Sequence, residues 1–393
     1  MKIAGDWLAR AGTQSVLSLL TGAGHRAYVV GGCVRNALLG QPVADIDIST
    51  DARPERVMAL ARAAGLRAVP TGVEHGTVTV IAGGAPHEVT TFRRDVETDG
   101  RRASVVFSDR IEEDALRRDL TMNALYATAD GTVVDPLGGL ADTLARRVRF
   151  VGRAEDRIRE DHLRILRFFR FLAWYGDPAE GPDPEGLAAC AALAEGIDRL
   201  SRERVGAEMR KLLAAPDPAP AVAAMAAAGV LARALPGADA RALPVLVHLE
   251  AALGPQDAPD WRGRLAVLGG EDTAARLRLS RAEAAALAAI RRGIGDGAAP
   301  AELGWRDGIQ GATAAILARA ALTGTPPPEG WQAEIRRGAS AVFPLRAADL
   351  PGLSGPALGA ALKRLETAWL ADGLRPGKAE LLGTDFLPPE NPL

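Results

Sequence analysis

The sequence predicts an α/β domain over residues 1–148 followed by all-helical units. Three observations carry that expectation. Short apolar or alternating runs, separated by glycine turns, fill the first third of the chain. From about residue 155 alanine, leucine and arginine dominate, and strand-like runs are few. Turn-rich breaks at 176–186, 214–220, 293–304 and 323–331 then divide the remainder into helical pieces, with no detectable repeat.

Each element has a local reason. Residues 27–30, Ala-Tyr-Val-Val, form a short apolar run that ends at Gly31 and Gly32, as a buried strand and turn would. Residues 45–49, Asp-Ile-Asp-Ile-Ser, alternate with period two and read as a half-polar strand. Pro54 opens a helix over 54–65. Residues 77–82 and 87–92 are two more strands, with 83–86, Gly-Gly-Ala-Pro, as the hairpin turn between them. Residues 160–172 place Leu163, Leu166 and Phe169 at helical spacing and predict one mostly buried helix. The alanine-rich stretch 221–234 is expected as a packed helix rather than low-complexity chain.

Composition narrows the class. The chain has 393 residues, 48% of them hydrophobic, enough for two to four structural units with sizeable cores. Lys and Arg number 47 against 49 Asp and Glu, a formal net charge of −2. Any nucleic-acid surface must therefore be local. Cys33 and Cys190 are far apart and belong to no Cys/His cluster, so reduced thiols are expected rather than a zinc site or disulfide. The first twenty residues carry Asp6 and Arg10 and lack a long apolar core, and no apolar run could span a bilayer. A cytoplasmic protein is the expectation.

Residues 31–51 carry the strongest cluster. Asp45 and Asp47 are two apart, which on a strand puts both carboxylates on one face, about 7 Å apart. Such a pair can hold divalent cations that clamp a triphosphate and an attacking hydroxyl. Gly31 and Gly32 stand at the end of the preceding strand, where glycine lets backbone amides approach phosphate oxygens, and a helix starting near Val34 would add its positive end. Glu88 is a third acid on the polar face of the strand before Phe92. A lone Asp-x-Asp is most often a solvated strand face; the combination at this spacing is what makes it a candidate site. The sequence has no P-loop, dinucleotide fingerprint, His-Glu-x-x-His or Gly-x-Ser-x-Gly motif. Metals, glycine-turn amides and arginines would have to hold a triphosphate.

The run GG-x-VR, nine residues, then DID, followed by EVTTFR, resembles the head of the class II CCA-adding tRNA nucleotidyltransferase and bacterial poly(A) polymerase family, within the polymerase β superfamily. The resemblance extends over about residues 25–215. It implies two Mg²⁺ ions on Asp45 and Asp47, with Glu88 as a further catalytic acid, and nucleotide contacts from Gly31, Gly32 and Arg35. Asn36 stands where the family usually has aspartate. The resemblance further implies a nucleotidyltransferase head (1–148), a neck of base- and RNA-binding helices (149–215), and a helical body and tail that bind tRNA (216–393). The expected activity is template-independent addition of C, C and A to the tRNA 3′ end from CTP and ATP.

Residues 93–116 carry charges of both signs and few apolar side chains, and read as a mobile loop. It resembles the family's flexible loop, which helps the switch from C to A addition; Ala103 stands where proline is common. The following segment, RRDLTMNA, resembles the ribose and phosphate motif and implies Arg118, Asp119 and Asn123 as nucleotide contacts. Arginines can fork onto phosphates, and Asp and Asn can hydrogen-bond ribose hydroxyls. The turn 135–139 is read as structural. Asp161 and Arg164, i and i+3 on the expected helix, could read a base edge. The carboxylate would accept from an exocyclic amino group while the guanidinium donates to a ring acceptor, favouring C and A over U and G. They match the family's EDxxR motif, and Arg167 follows on the same helix. A surface ion pair is the plainer reading of an isolated Asp-x-x-Arg.

Residues 146–170 hold nine arginines and four acids, and residues 199–211 hold five basic and two acidic side chains. Arg153, Arg157, Arg170, Arg202, Arg204 and Lys211 are the candidates for a phosphate backbone. Rival readings are a poly(A) polymerase, a CC-adding enzyme, an inactive RNA-binding protein and a metal-dependent phosphohydrolase. The acidic segment 383–393 speaks for tRNA rather than arbitrary RNA. Intact Asp45 and Asp47 speak for catalysis, and the absence of an adjacent His-Asp pair speaks against a hydrolase domain.

Overall fold

The computed structural model describes residues 1–99, 102–254 and 260–383 and divides into two compact units, Met1–Pro236 and Gly237–Leu393. The first unit contains a seven-stranded sheet of order β3-β4-β5-β2-β1-β8-β9. Its strands are β1 (Ala27–Val30), β2 (Asp47–Thr50), β3 (Arg67–Gly72), β4 (Thr77–Ala82), β5 (Ala85–Thr91), β8 (Tyr126–Ala127) and β9 (Val133–Val134). A separate hairpin joins β6 (Arg93–Asp99) to β7 (Arg102–Phe107). The α/β head and the helical remainder expected from the sequence are both present.

Helices α1 (Asp6–Ala9), α2 (Ala11–Gly22), α3 (Gly32–Leu38) and α4 (Pro54–Ala63) belong to this sheet region. Val16, Leu17 and Leu20 of α2, Val34 of α3 and Val57 and Ala61 of α4 share one core with Val29, Ile48, Val78, Val80 and Val89 of the strands. The alternation of β2, β4 and β5 sends these residues to one face and leaves their polar partners on the other. β2 and β5 are parallel, with Asp47 opposite Glu88; β1–β2, β4–β5 and β1–β8 are antiparallel.

Three expected boundaries are corrected. The strand begins at Asp47, not Asp45, because the ladders to β1 and β5 end at Ile48 and Asp47 respectively. Asp45 lies in the connection before it. The hairpin turn is only Gly83 and Gly84, both with positive φ (59° and 76°), and β5 already begins at Ala85. Pro86 is tolerated there because its pairing is with Ile81 of β4 alone, the ladder between β2 and β5 reaching only to the Asp47–Glu88 pair. The segment 93–116 is not an irregular loop among its described residues: it is the β6–β7 hairpin followed by α5 (Ile111–Leu116). Residues 100 and 101 lie outside the described residues.

After β9 come α6 (Gly139–Leu144), α7 (Ala154–Glu160), α8 (Leu163–Tyr175), α9 (Pro184–Ala192), α10 (Arg202–Leu213), α11 (Ala219–Ala227) and α12 (Val230–Ala234). The Asp135 carboxylate caps α6, accepting from the Gly139 and Leu140 amides at 2.9 Å each. The helix expected over 160–172 is interrupted at Asp161, whose backbone is extended (φ −155°, ψ 106°). Its apolar face is as read: Leu163, Leu166 and Phe169 are buried. Phe168 stacks on Phe150, with centroids 5.3 Å apart.

The second unit is helical: α13 (Leu243–Glu250), α14 (Trp261–Leu268), α15 (Thr273–Arg276), α16 (Arg281–Gly295), α17 (Pro300–Thr323), α18 (Trp331–Ser340), α19 (Gly355–Ala371) and α20 (Lys378–Leu381). Two glycines let α17 and α18 touch. A Cβ on Gly304 would lie 2.2 Å from the Ile335 carbonyl oxygen, and one on Gly338 1.8 Å from that of Ala301. Trp305 and Phe343 pack edge-on to Trp369. The acidic segment weighed for RNA preference falls, after Gly383, outside the described residues. No helix among the described residues is long and apolar enough to cross a membrane.

One contact ties this framework to the candidate site. A Cβ on Gly139 would stand 2.4 Å from the Thr121 carbonyl oxygen, in the 3-10 turn Thr121–Asn123. Gly139→Ala is expected to push that turn off α6 and cost about 1–3 kcal/mol, read as a lowered melting temperature of the purified protein. An unchanged melting temperature would show that α6 can shift freely.

Candidate active site

The sheet's polar face presents Asp47 and Ser49 from β2 beside Glu88 and Thr90 from β5. They line a pocket of about 250 Å³ together with Thr77, Arg93, Arg117 and Arg118. The parallel register puts Asp47 and Glu88 directly side by side. Burial, then the charge of Glu88, raises the Asp47 carboxyl above its ordinary range; Arg118 opposes this and Asp45 adds to it. Asp45 is exposed, just outside the strand, with Ile46 buried between the two aspartates. Beside Asp47 the Cys33 thiol is pushed up to about 11, by burial first and then by the Asp47 charge, so it stays protonated.

Gly31 shows why the turn needs glycine. Its φ is +71°, and a Cβ there would lie 3.2 Å from Arg118 Nη1. Gly32 begins α3, two residues earlier than expected. Arg118 is held in four directions. Nη2 donates to Asp114 Oδ2 at 3.1 Å and Ser49 Oγ at 3.4 Å, Nη1 to the Asn123 carbonyl at 3.2 Å, and Nε to the Tyr126 hydroxyl at 3.3 Å. Asp114 comes from α5, inside the segment expected to be a mobile loop.

Asp119, Asn123, Arg35 and Arg167 form a second, buried cluster. Arg167 Nε donates to Asp119 Oδ2 at 2.5 Å; Asn123 Nδ2 and the Leu120 amide donate to Oδ1 at 3.0 and 2.9 Å. Arg35 Nη1 donates to Asn123 Oδ1 at 2.5 Å, and its Nη2 to the Tyr175 hydroxyl at 2.9 Å. Asn36 serves the bracing role that an aspartate would: its Oδ1 accepts from Arg35 Nε and Nη2, while its Nδ2 donates to the Pro42 carbonyl. Burial lowers the Arg35 pKa. The Phe171 ring collects three guanidinium groups, from Arg35, Arg167 and Arg170, at 5.0, 5.4 and 4.7 Å. Both oxygens of Asp119 are engaged inside the protein, Oδ1 by two donors and Oδ2 by one.

Asp161 and Arg164 do not share a helix face, as the sequence had suggested. Asp161 occupies the break. Its Oδ1 accepts from the Leu163 amide at 3.1 Å and its Oδ2 from Arg204 Nη2 at 2.5 Å. Arg164 turns the other way, donating to Glu160 at 2.5 Å and to the Arg157 and Arg117 carbonyls at 3.0 Å each. The reason is local: the Asp161 side chain accepts from the amide two residues ahead, a turn that competes with continuation of the helix.

The arginines expected on RNA divide. Arg153, Arg202 and Lys211 are exposed. Arg157 pairs with Glu160 and donates to the Leu116 carbonyl at 2.9 Å. Arg170 is a correction: it forms a 2.7 Å ion pair with buried Glu208, between α8 and α10, and is not a surface phosphate contact. Arg204 is a second, since it is committed to Asp161. Ser49, Thr90, Arg93 and Arg117 went unmarked. Ser49 and Thr90 were findable by extending the alternation two residues beyond Asp47 and Glu88; Arg93 and Arg117 are the last and first residues of the EVTTFR and RRDLTMNA runs and were not singled out within them.

Comparison with known proteins gives a concordant result. The model described as "Poly A polymerase head domain" matches residues 27–149, and that described as "Probable RNA and SrmB- binding site of polymerase A" matches 182–241. The solved CCA-adding enzyme of Bacillus stearothermophilus, in complex with CTP, is 33% identical, with a TM-score of 0.74 over 92% of both chains. The chain belongs to the class II CCA-adding tRNA nucleotidyltransferase and bacterial poly(A) polymerase family. Among curated members, the human mitochondrial CCA tRNA nucleotidyltransferase 1 is 41% identical over 51% of this chain and 47% of its own length. The CCA-adding enzyme of Streptococcus pyogenes (strain MGAS10270) is 44% identical over 54% and 52%. The chain thus spans about half the length of the curated family members it matches. The Thermotoga maritima CCA-adding enzyme complexed with tRNA shares the fold at 18% identity, with a TM-score of 0.66.

The Asp119 environment makes a pH prediction for this family member. Burial alone would raise its carboxyl; the charge and hydrogen bond of Arg167, with Asn123 and the Leu120 amide, instead bring it from 3.8 down to about 2. A depressed folded-state pKa means the stabilisation is complete above about pH 4 and is lost as pH falls toward 2. Asp119→Asn is therefore expected to destabilise by about 2 kcal/mol at pH 7, with the gap closing between pH 4 and 2 in thermal melts. A gap independent of pH would mean that the charge of Asp119 does not matter.

Proposed function

We propose that this chain adds C, C and A to the 3′ end of tRNA, without a template, from CTP and ATP. The observation that carries the reading is the juxtaposition of Asp47 and Glu88, with Asp45 nearby, in a pocket whose other wall is Arg118. The family relative in complex with CTP supports the nucleotide class. In this reading 1–148 is the catalytic head, 149–215 the neck and 216–393 the body and tail that bind tRNA.

Mg²⁺ fits the residues present. No group of three His, Cys, Asp or Glu that could hold a metal ion is found among the described residues. Mg²⁺ needs only one or two carboxylates, such as Asp47 beside Glu88, and completes its shell with water and substrate phosphates. The Asp47 carboxyl is raised by burial first and then by the charges of Glu88 and Asp45, and a cation would offset both. Asp45 and Asp47 would hold the metal, two ions during the reaction, with Glu88 beside them. Bound Mg²⁺ lowers the pKa of the tRNA 3′ hydroxyl and neutralises charge on the triphosphate.

The chain's own residues do the rest. Arg118, fixed by Asp114 and Tyr126, faces phosphate oxygens from the pocket wall, and Arg93 and Arg117 add positive charge there. Gly31 and Gly32 bring backbone close to the nucleotide. Asp119 and Asn123 position Arg35 and Arg167 behind it. The 3′ oxygen attacks the α-phosphate of CTP or ATP in line, and pyrophosphate leaves. Asp161 accepts from the amino group of cytosine or adenine; Arg164, engaged in this structure with Glu160 and the Arg157 and Arg117 carbonyls, has to turn from them to donate to the ring. A carbonyl in place of the amino group leaves buried acceptors opposed, at roughly 1–3 kcal/mol per mismatch.

The test uses a tRNA transcript lacking its last three nucleotides, Mg²⁺ and single nucleotides, with product lengths read on a sequencing gel. Two additions from CTP and a third with ATP are expected, and none from Asp45→Ala or Asp47→Ala. Two additions and no third would make it a CC-adding enzyme, and a long ladder from ATP on any RNA a poly(A) polymerase. Wild-type protein as silent as Asp47→Ala would overturn the enzymatic reading.

A further inference from the structure

We propose that Thr77 and Thr90 form the subsite for the 3′-terminal ribose of the acceptor RNA and read its 2′-hydroxyl. The proposal deepens the reading above and rests on it: Asp47 and Glu88 must be the acids that receive the attacking 3′ oxygen.

The strand order gives the two flanks of those acids different chemistry. On one side of β2 lies β1, which is followed by Gly31, and beyond it β8, whose Tyr126 helps to hold Arg118. That flank offers backbone amides and a guanidinium, the groups a triphosphate needs. On the other side lie β5 and then β4. One step along the polar face from the Asp47–Glu88 pair, the register sets Ser49, Thr90 and Thr77 in a row across β2, β5 and β4. Ser49 is buried and accepts from Arg118, so it belongs to the triphosphate flank. Thr77 and Thr90 are half-buried and line the same pocket as the acids. In-line displacement brings the nucleophile in opposite the departing pyrophosphate. With the triphosphate reaching the acids from the β1 flank, the acceptor ribose comes in over β5 and β4.

Two hydroxyls stand there. Thr77 Oγ1 and Thr90 Oγ1 are 3.1 Å apart, and either can be the donor. Together they carry two protons and four lone pairs. Their mutual bond uses one of each, leaving one proton and three lone pairs for a ligand. A ribose 2′-hydroxyl, which both donates and accepts, can use both kinds at once. A phosphate oxygen only accepts and would use the proton alone. The spacing agrees, since residues two apart on a strand stand about 7 Å from each other. Two hydrogen bonds of about 2.8 Å, one from the 3′ oxygen to Glu88 and one from the 2′ oxygen to Thr90, bridge a gap of that size. The consequence is a check without a template. Each nucleotide added becomes the acceptor for the next, so this subsite inspects the sugar of every nucleotide just joined, and a deoxynucleotide added in error slows the following step.

The test compares two tRNAs lacking their last two nucleotides, identical except that the terminal sugar is ribose or 2′-deoxyribose. The readouts are kcat/KM for each acceptor in the addition of one C, the KM for CTP, and melting temperature. The wild-type protein is expected to favour the ribose end about tenfold. Thr77→Val combined with Thr90→Val keeps branched side chains suited to strands and is expected to bring the preference below about twofold, chiefly by slowing the ribose-ended acceptor. The KM for CTP should move by less than about twofold, and Thr90→Ser should retain the preference. Should the double variant fail to fold, Thr90→Val alone gives the same readout. A wild-type protein that extends both ends equally would overturn the proposal. So would a double variant that keeps the preference, or one that loses activity equally on both acceptors, either of which leaves the pair a cross-strand contact only. Preference lost in Thr79→Val but kept in the double variant would move the contact to the neighbouring Thr71–Thr79 pair, 2.9 Å apart, and overturn this assignment. Wild-type protein as silent as Asp47→Ala on both acceptors would instead overturn the enzymatic reading, and this proposal with it.

Discussion

The buried ion pair between Asp119 and Arg167 is the joint on which the geometry of the site depends. Asp119 belongs to the segment that carries Arg118 and Asn123, whereas Arg167 lies about one turn into α8. Breaking such a pair leaves a buried charge without its partner. Through Asn123 the joint reaches Arg35, and through Arg35 it reaches Tyr175 near the end of α8. The phosphate side and the base side of the candidate site are thereby held as one frame. Arg164 strengthens it by donating to the Arg117 carbonyl, immediately before Arg118.

The sheet supplies what that frame surrounds. A parallel neighbour at β2 is what places Glu88 opposite Asp47; a one-residue slip would put Val89 there and send both acids to different faces. The apolar partners of these strands fill the core beneath, so the register that buries Ile48 and Val89 is the register that assembles the acids. Stability and site geometry have a common origin here. The crowding has a cost, visible in the raised Asp47 carboxyl, and a cation is what would offset it.

Much of this was legible in the sequence, and the failures share a cause. Alternation at 45–49 and 87–92 located the acids and their face, and Gly31 earned its place by positive φ. The interruption at Asp161 escaped notice because the surrounding residues carry no proline or glycine and keep helical spacing on both sides. The tendency of aspartate to bond a backbone amide two residues ahead was the available signal, hidden by the apolar pattern. The arginines were misjudged for a different reason. Helical spacing says which side of its own helix a residue occupies, but not what another helix brings to meet it. Glu208 reaches Arg170 from α10, and Asp161 meets Arg204 from a break that the pattern did not reveal. The segment 93–116 read as a mobile loop because its charges are numerous; the pairing of Arg94 and Arg110 with Glu113 within it, and of Asp114 with Arg118 beyond it, appears only in the folded chain.

The account rests on the acids of the sheet and the start of α8 serving one nucleotide together. A crystal structure of this chain with CTP and Mg²⁺ tests that claim most directly. The account predicts the triphosphate over Asp47, Glu88 and Arg118, with the cytosine amino group on the carboxylate of Asp161. A triphosphate bound away from Asp47, or a cytosine that leaves Asp161 untouched, would contradict it.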